Sequence, residues 1–281
     1  MKKNQRLTTN SYWDSVYGNG NSKELKYGKI KRYGKKIFGK KIFCYMLENY
    51  SEYLFWKICE NRLPKQEGLK ILEIGSAPGY RLIKFNKDFS YIPYGVEYSK
   101  EGVKLNRELF FLNELSPQNV IHSDFFSEKF QNEYNSYFDI IISMGFIEHF
   151  SNVEEVINCH YSLLKDEGLG IISIPNFRGF NYLFMYIFNR NLLKMHNMEI
   201  MDKKIFKKYL ETENTSVLFM DYYGSFNLAL FELNLENKLT KSIYIFINLL
   251  QLVFNLFFRV VGLNLENKYF SPFLMAVIKK H

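Results

Sequence analysis

Short, almost unbroken apolar runs alternate along this chain with longer stretches whose apolar residues fall three and four apart. Leu69, Ile71, Leu72 and Ile74 form the first run, and Tyr91 to Val96, Val120 to Ile121, Phe138 to Ile142 and Ile171 to Ile174 form further ones. Runs of this length with little polar alternation read as strands covered on both faces, as in a parallel sheet. Between them, residues 80–87, 101–115 and 154–164 read as helices. The last helix is expected to close at Lys165 to Gly168, with Gly168 in the left-handed conformation. Lys203 to Leu210 reads as another helix, Val217 to Tyr222 as a sixth strand and Phe273 to Lys279 as a last one. Such alternation specifies an α/β fold with a doubly wound sheet.

Ahead of the first strand, Phe43, Met46, Leu47, Tyr50, Leu54, Phe55 and Ile58 recur at helical spacing within residues 41–62, and with Ser11 to Tyr17 they predict a helical cap. The expected division is a basic segment and cap over 1–66 and a main domain over 67–281. Two stretches interrupt the main domain, 176–200 with its aromatic run Phe180 to Phe188, and 225–271. Both follow strands at the carboxyl edge where open α/β sheets bind ligands, so they are expected to build a substrate pocket.

The chemistry begins where the first strand ends. Gly75, Ser76, Ala77 and Gly79 carry little side chain, so the backbone turns sharply there and a ligand approaches it closely. Glu73, inside the strand, is costly to bury without a cationic or donating partner. The spacing fits neither the nicotinamide fingerprint nor a phosphate loop, which ends in Lys. It resembles the first motif of the class I S-adenosylmethionine-dependent methyltransferases, an acidic residue followed by three alternating glycines, with Ala77 in the middle glycine's place. Later residues extend the resemblance. Glu97 ends the second strand 24 residues beyond Glu73, where a carboxylate accepts hydrogen bonds from ribose hydroxyls. The resemblance implies that Asp124 meets the adenine amino group, that Phe125 walls the ring, and that Tyr98, Ser143 and Met144 complete a cofactor site with Glu73, Gly75, Ser76, Ala77 and Gly79. A strand led by Phe138 and Asp139 with Glu148 and His149 beyond it is a hallmark of the same family. The implied fold is a Rossmann-like sheet of seven strands with the last antiparallel. Each motif alone has a plain structural reading, as turn glycines, a solvated strand end or a helix cap. Their order along one chain is what joins them.

A chain of 281 residues with 47% hydrophobic and 23% charged residues holds one α/β domain with additions. Cys44, Cys59 and Cys159 are too scattered for a disulfide framework, and no apolar run follows the basic start, so a cytoplasmic location is expected. Charge is uneven: residues 1–41 hold 12 Lys and Arg against Asp14 and Glu24, while the remainder holds 25 against 27. This segment is either a solvated basic loop or a contact for something anionic. Residues 242–263 carry one charge, and Asn248, Gln251, Asn255 and Arg259 form one stripe of an amphipathic helix. A core-packed or dimer-forming helix and a helix lying in a membrane interface are both open to it. A bilayer span is opposed by the strand that must rejoin the sheet afterwards.

Methyl transfer needs an aligned acceptor and, for a hydroxyl, removal of its proton. His149 and His196 are the candidate catalytic residues. No metal is expected, because adjacent Glu148 and His149 on an α-helix diverge by about 100°. The expected acceptor is a small molecule or glycan, with a lipid- or nucleotide-linked sugar suited to the basic start and the apolar helix. Nucleic acid is disfavoured: the position after strand four reads Ser143, Met144, Gly145, Phe146 in place of the Asn/Asp-Pro-Pro-aromatic motif of base-nitrogen methylators, and no Cys stands there. An RNA ribose methylator and a non-catalytic cofactor-binding module are the alternatives.

Overall fold

The computed structural model describes residues 6–18, 49–225, 227, 242, 246, 250–251, 253–254, 257–261 and 266–281. Strands β1 (Lys70–Ile74), β2 (Ile92–Glu97), β3 (Val120–His122), β4 (Phe138–Met144), β5 (Leu164–Pro175), β6 (Thr215–Tyr223) and β7 (Phe273–Lys280) form one sheet in the order β3-β2-β1-β4-β5-β7-β6. The first five pair in parallel, and β7 lies antiparallel between β5 and β6. This is the Rossmann-like seven-stranded sheet expected from the strand pattern and the resemblance. The order reverses between β1 and β4, which opens a crevice at their carboxyl ends. Register places the site there: Ile74 pairs with Val96 on one side and Ser143 on the other, so Gly75, Glu97 and Met144 emerge together.

Alternate residues of each strand enter two cores. Ile71, Ile140, Ile142, Ile171, Met275 and Val277 pack beneath Phe55, Leu82, Phe85 and Phe110 of helices α2 (Tyr50–Arg62), α3 (Tyr80–Phe89) and α4 (Lys100–Leu112). Leu72, Ile141, Ile172, Leu274 and Ala276 face Phe130, Val156, Ile157, Phe206 and Leu210, from α5 (Glu128–Glu133), α6 (Val153–Leu163) and α9 (Lys203–Leu210). Side-chain caps start these helices: Ser99 accepts from Gly102 N–H, and Asp202 from Lys204 and Ile205 N–H. The cap helix α2 is thus part of the sheet's cover. Helix α1 (Asn10–Gly18) is tied to α4 by a Ser99 hydroxyl to Asp14 hydrogen bond.

Several boundaries differ from the sequence reading. Helix α6 gives way at Leu164 to β5, because Leu164 already pairs with Phe138 of β4. The left-handed residue is Glu167, at φ 66°, and not Gly168; it sits in an irregular stretch inside β5, where the register with β4 shifts. A Cβ at Gly168 would stand 2.7 Å from the Lys165 carbonyl oxygen, so close backbone approach is what requires glycine there. Helix α4 stops at Leu112 rather than Leu115, and β3 holds only three residues. The first insertion folds as α7 (Phe180–Phe188) and α8 (Arg190–Lys194). Residues 19–48, which hold most of the basic segment 1–41, Cys44 and the first part of the helix expected over 41–62, lie outside the described residues, as do Asn248 and Asn255 within 242–263. Described positions there are helical, with Gln251 and Arg259 partly buried and Phe246, Val253, Phe254, Phe257 and Val260 exposed. Among the described residues no helix is long and apolar enough to cross a membrane.

Candidate functional site

At the end of β1 the chain turns through Gly75, at φ 68°, into a cleft of about 850 Å³ including its open mouth, a size usual for small-molecule sites. A Cβ built on Gly75 would meet only the edge of the Phe146 ring, at 3.5 Å, so its face is open to the cleft. Glu73 forms the floor. The residue is 4% exposed, with Arg81 Nη1 at 3.9 Å from Oε1 and no hydrogen-bond partner on Oε2. Burial pushes its pKa up to about 7, against the pull of Arg81. Glu97 sits differently, accepting from the backbone N–H of Tyr98 and Ser99 at 2.9 Å each and from that of Ala77 at 3.4 Å. These donors fix the carboxylate at the cleft wall, where its burial raises the pKa.

Glu73, Gly75, Ala77, Glu97, Tyr98, Asp124, Phe125, Met144 and His149 all line this cleft. Three residues expected there stand behind it. Ser76 is buried and accepts a hydrogen bond from the Asn106 amide at 2.7 Å. Gly79 starts α3 at φ 97°, and a Cβ there would stand 2.2 Å from Asn106 Oδ1. Ser143 is fully buried within β4. Their small size serves packing around the loop.

The roof comes from the N-terminal segment, whose individual residues the sequence reading did not identify. Leu7 N–H bonds to His149 O at 2.8 Å, laying the strap beside the turn after β4. Arg6 then forks onto Asp124, with Nη2 at 2.5 and 2.6 Å from the two oxygens, and its guanidinium covers the Tyr98 and Phe126 rings. Asp124 is therefore already paired. Trp13 and Tyr17 of α1 also line the cleft, and burial with Glu97 and Glu73 nearby raises the Tyr17 hydroxyl's pKa. The sequence signal for this roof is the stretch Ser11 to Tyr17, which reads as part of a helical cap.

A second cleft adjoins the first at Trp13, Arg81, Met144, Gly145 and His149. Glu148, His149 and His196 lie on its wall. Glu148 and His149 belong to a three-residue 3-10 turn, Ile147–His149, and His196 comes from the first insertion. Asn197 fastens the two together, its N–H donating to Glu148 O at 2.7 Å and its side chain to Phe150 O at 3.3 Å. The His149 Nδ1–H donates to Met195 O at 3.0 Å, and the His196 Nδ1–H to Leu192 O at 2.6 Å. A carbonyl only accepts, so in each neutral ring Nε2 carries the lone pair. Burial lowers both imidazole pKa values, that of His196 to about 4, and raises the Glu148 carboxyl to about 8. The divergence expected of neighbouring helical residues does not keep these heads apart. His149 Nε2 lies 3.9 Å from Glu148 Oε1, and one ligand atom from each of the three residues falls within 4.8 Å of the others.

Among curated proteins no sequence matches the chain. Solved structures share its fold at low identity. A Haloferax volcanii protein solved in complex with the Trm112 methyltransferase activator is 14% identical, with TM-score 0.53 over 95% of this chain and 96% of that one. Geranyl diphosphate C-methyltransferase from Streptomyces coelicolor, solved with Mg2+, geranyl diphosphate and S-adenosylhomocysteine, is 9% identical, with TM-score 0.55 over 82% and 79%. The [4+2]-cyclase SpnF is 12% identical, with TM-score 0.51 over 81% and 80%, so the fold by itself does not set the reaction. Residues 41–215, well over half of the chain, match the family described as a methyltransferase domain. The chain belongs to that methyltransferase family, and its cofactor is S-adenosylmethionine.

Proposed function

We propose that the chain transfers the methyl group of S-adenosylmethionine to a hydroxyl of a small-molecule or glycan acceptor held in the second cleft. The observation that carries this reading is the meeting of two clefts at Met144, Gly145 and His149. The first cleft suits the cofactor on its own chemistry. Glu73 Oε2 is a buried acceptor without a donor, which the cofactor's ammonium group would satisfy beside Arg81. Glu97 is oriented by backbone amides toward the place of the ribose hydroxyls, and the bare face of Gly75 admits close approach. Asp124 is available to an adenine amino group once it shares or releases Arg6.

When bound, the cofactor supplies an activated methyl carbon. The chain aligns the acceptor and excludes water, with Trp13 closing the junction from above. Glu148, His149 and His196 are among the polar groups of the second cleft's wall, which on this reading places them beside the acceptor oxygen. The test is formation of S-adenosylhomocysteine by the full chain with nucleotide sugars, lipid-linked sugars, free phenols and polyols, or RNA. We expect methyl incorporation with hydroxyl-bearing small molecules or glycans; incorporation into RNA alone overturns the reading.

The surface favours a lipid-linked acceptor. On α7, Phe180, Leu183 and Ile187 are each more than half exposed, and Phe180 stacks on exposed Phe270. No acidic residue occurs from Asn176 to Met198, whereas Arg178, Arg190 and Lys194 do. An apolar face edged by cations fits an anionic membrane surface. The protein should co-float with vesicles of anionic lipid more than with neutral ones, and Leu183→Glu with Ile187→Glu should abolish this. No flotation, with a dimer in solution that the same changes dissociate, makes the face a contact between two copies instead.

A further inference from the structure

Glu148, His149 and His196 are placed more deliberately than a hydrophobic wall requires. The Glu148 carboxyl is 1% exposed, yet Oε2 has no hydrogen-bond partner and Oε1 lies 3.9 Å from His149 Nε2, beyond hydrogen-bond reach. As a structural ion pair this is poor, because a buried carboxylate without donors is expensive to maintain. Each histidine, by contrast, is held firmly by its other nitrogen. Met195 O and Leu192 O accept the two Nδ1–H groups, so both Nε2 lone pairs are left for another partner. A backbone carbonyl behind a ring nitrogen is the usual support for a metal-binding imidazole. The rings are further fixed by Trp13 against His149, at 5.6 Å between centroids, and Phe177 against His196, at 4.8 Å.

The ligand atoms lie within 4.8 Å of one another. Three donors sharing one ion at about 2.0–2.2 Å stand roughly 2.8–3.6 Å apart in octahedral or tetrahedral geometry, so binding draws the three side chains together by about 1 Å or more through their torsions. We propose that Glu148, His149 and His196 form a two-histidine, one-carboxylate site for a divalent first-row transition ion, placed to bind the acceptor's hydroxyl oxygen beside the methyl donor. Two imidazoles and one carboxylate suit zinc, iron(II), cobalt(II) or manganese(II) better than magnesium or calcium, which favour oxygen ligands. Three protein ligands on a cleft wall leave coordination positions for a substrate oxygen. The acceptor role rests on the reading that the second cleft takes the acceptor; the ion site itself does not.

In the transfer, the ion lowers the pKa of the acceptor hydroxyl and its proton leaves to water. An oxygen lone pair forms the new O–C bond to the methyl group as the S–C bond breaks. That bond's electron pair stays on sulfur, which turns from a sulfonium into a neutral thioether.

The test uses untagged full-length protein, stripped with chelator and dialysed. Cobalt(II) is titrated with its visible spectrum and ion content as readouts, and S-adenosylmethionine binding is measured alongside by calorimetry. The expected result is one cobalt per chain, with affinity at least tenfold lower in Glu148→Gln and in His196→Ala while both variants keep their cofactor affinity. No binding of cobalt, zinc or manganese by the parent at 100 µM overturns the site, as does binding that both variants retain. Binding lost in the variants, with methyl transfer indifferent to chelator, keeps the ion site and overturns its role on the acceptor.

Discussion

Gly75→Val is expected to abolish S-adenosylmethionine binding in a chain that still folds. Gly75 has φ 68°, so a branched side chain strains the turn by about 1–3 kcal/mol, a loss a domain of this size withstands. Its Cβ would meet only the Phe146 ring edge within the protein, at 3.5 Å, so the added branches project into the cleft. Gly79→Ala provides the contrast. There a Cβ collides with Asn106 at 2.2 Å, outside the cleft lining, and the loss should appear first in stability. Glu97→Ala lies between them, removing a charged acceptor at a cost to binding of about 1.5–3 kcal/mol. Calorimetry with circular dichroism separates the three. A folded Gly75→Val protein with parental affinity would mean that the cofactor does not lie against this turn.

Glu73→Gln should move stability and binding in opposite directions. Burial raises the Glu73 pKa from 4.5 to about 7, so the folded chain holds this proton more tightly than the unfolded chain does. The stability linked to the group is full below about pH 4.5 and declines as pH rises to about 7, by about 3 kcal/mol in total. Glutamine keeps the shape and never ionises. Its advantage over the parent in denaturant unfolding should therefore be small at pH 5 and reach about 2–3 kcal/mol at pH 8. Cofactor affinity should fall more than tenfold, because the ammonium group loses its charged partner. An equal stability gap at both pH values would show that Glu73 is not held above its ordinary pKa by the fold.

Much of the cofactor half was legible because its signals are local. A five-residue run from Lys70 to Ile74 ending in Gly75 is a buried strand and a turn whichever neighbours it finds. Glu97 and Met144 likewise end their own apolar runs, and a parallel sheet in register brings such ends together. Finer points depend on contacts between segments. Ser76 and Gly79, expected at the cofactor, pack against Asn106, and Ser143 is buried within β4, so the side chains of Ser76 and Ser143 and the Cα of Gly79 do not line the cleft. The left-handed residue is Glu167 and not Gly168, because β5 already pairs at Leu164 and the irregularity falls inside the strand, a contact with no local signature.

From residue order alone came the strand and helix alternation, the glycine turn and the three carboxylates Glu73, Glu97 and Asp124, since period, turn chemistry and spacing are properties of short segments. Contacts across the chain decided the rest. Arg6 meets Asp124 across 118 positions, and His149 meets the Met195 carbonyl across 46. Neither pairing has a local signature, because each depends on where a strap and an insertion settle against a sheet already formed. The cleft's roof and the Glu148, His149 and His196 cluster exist only after that packing is complete.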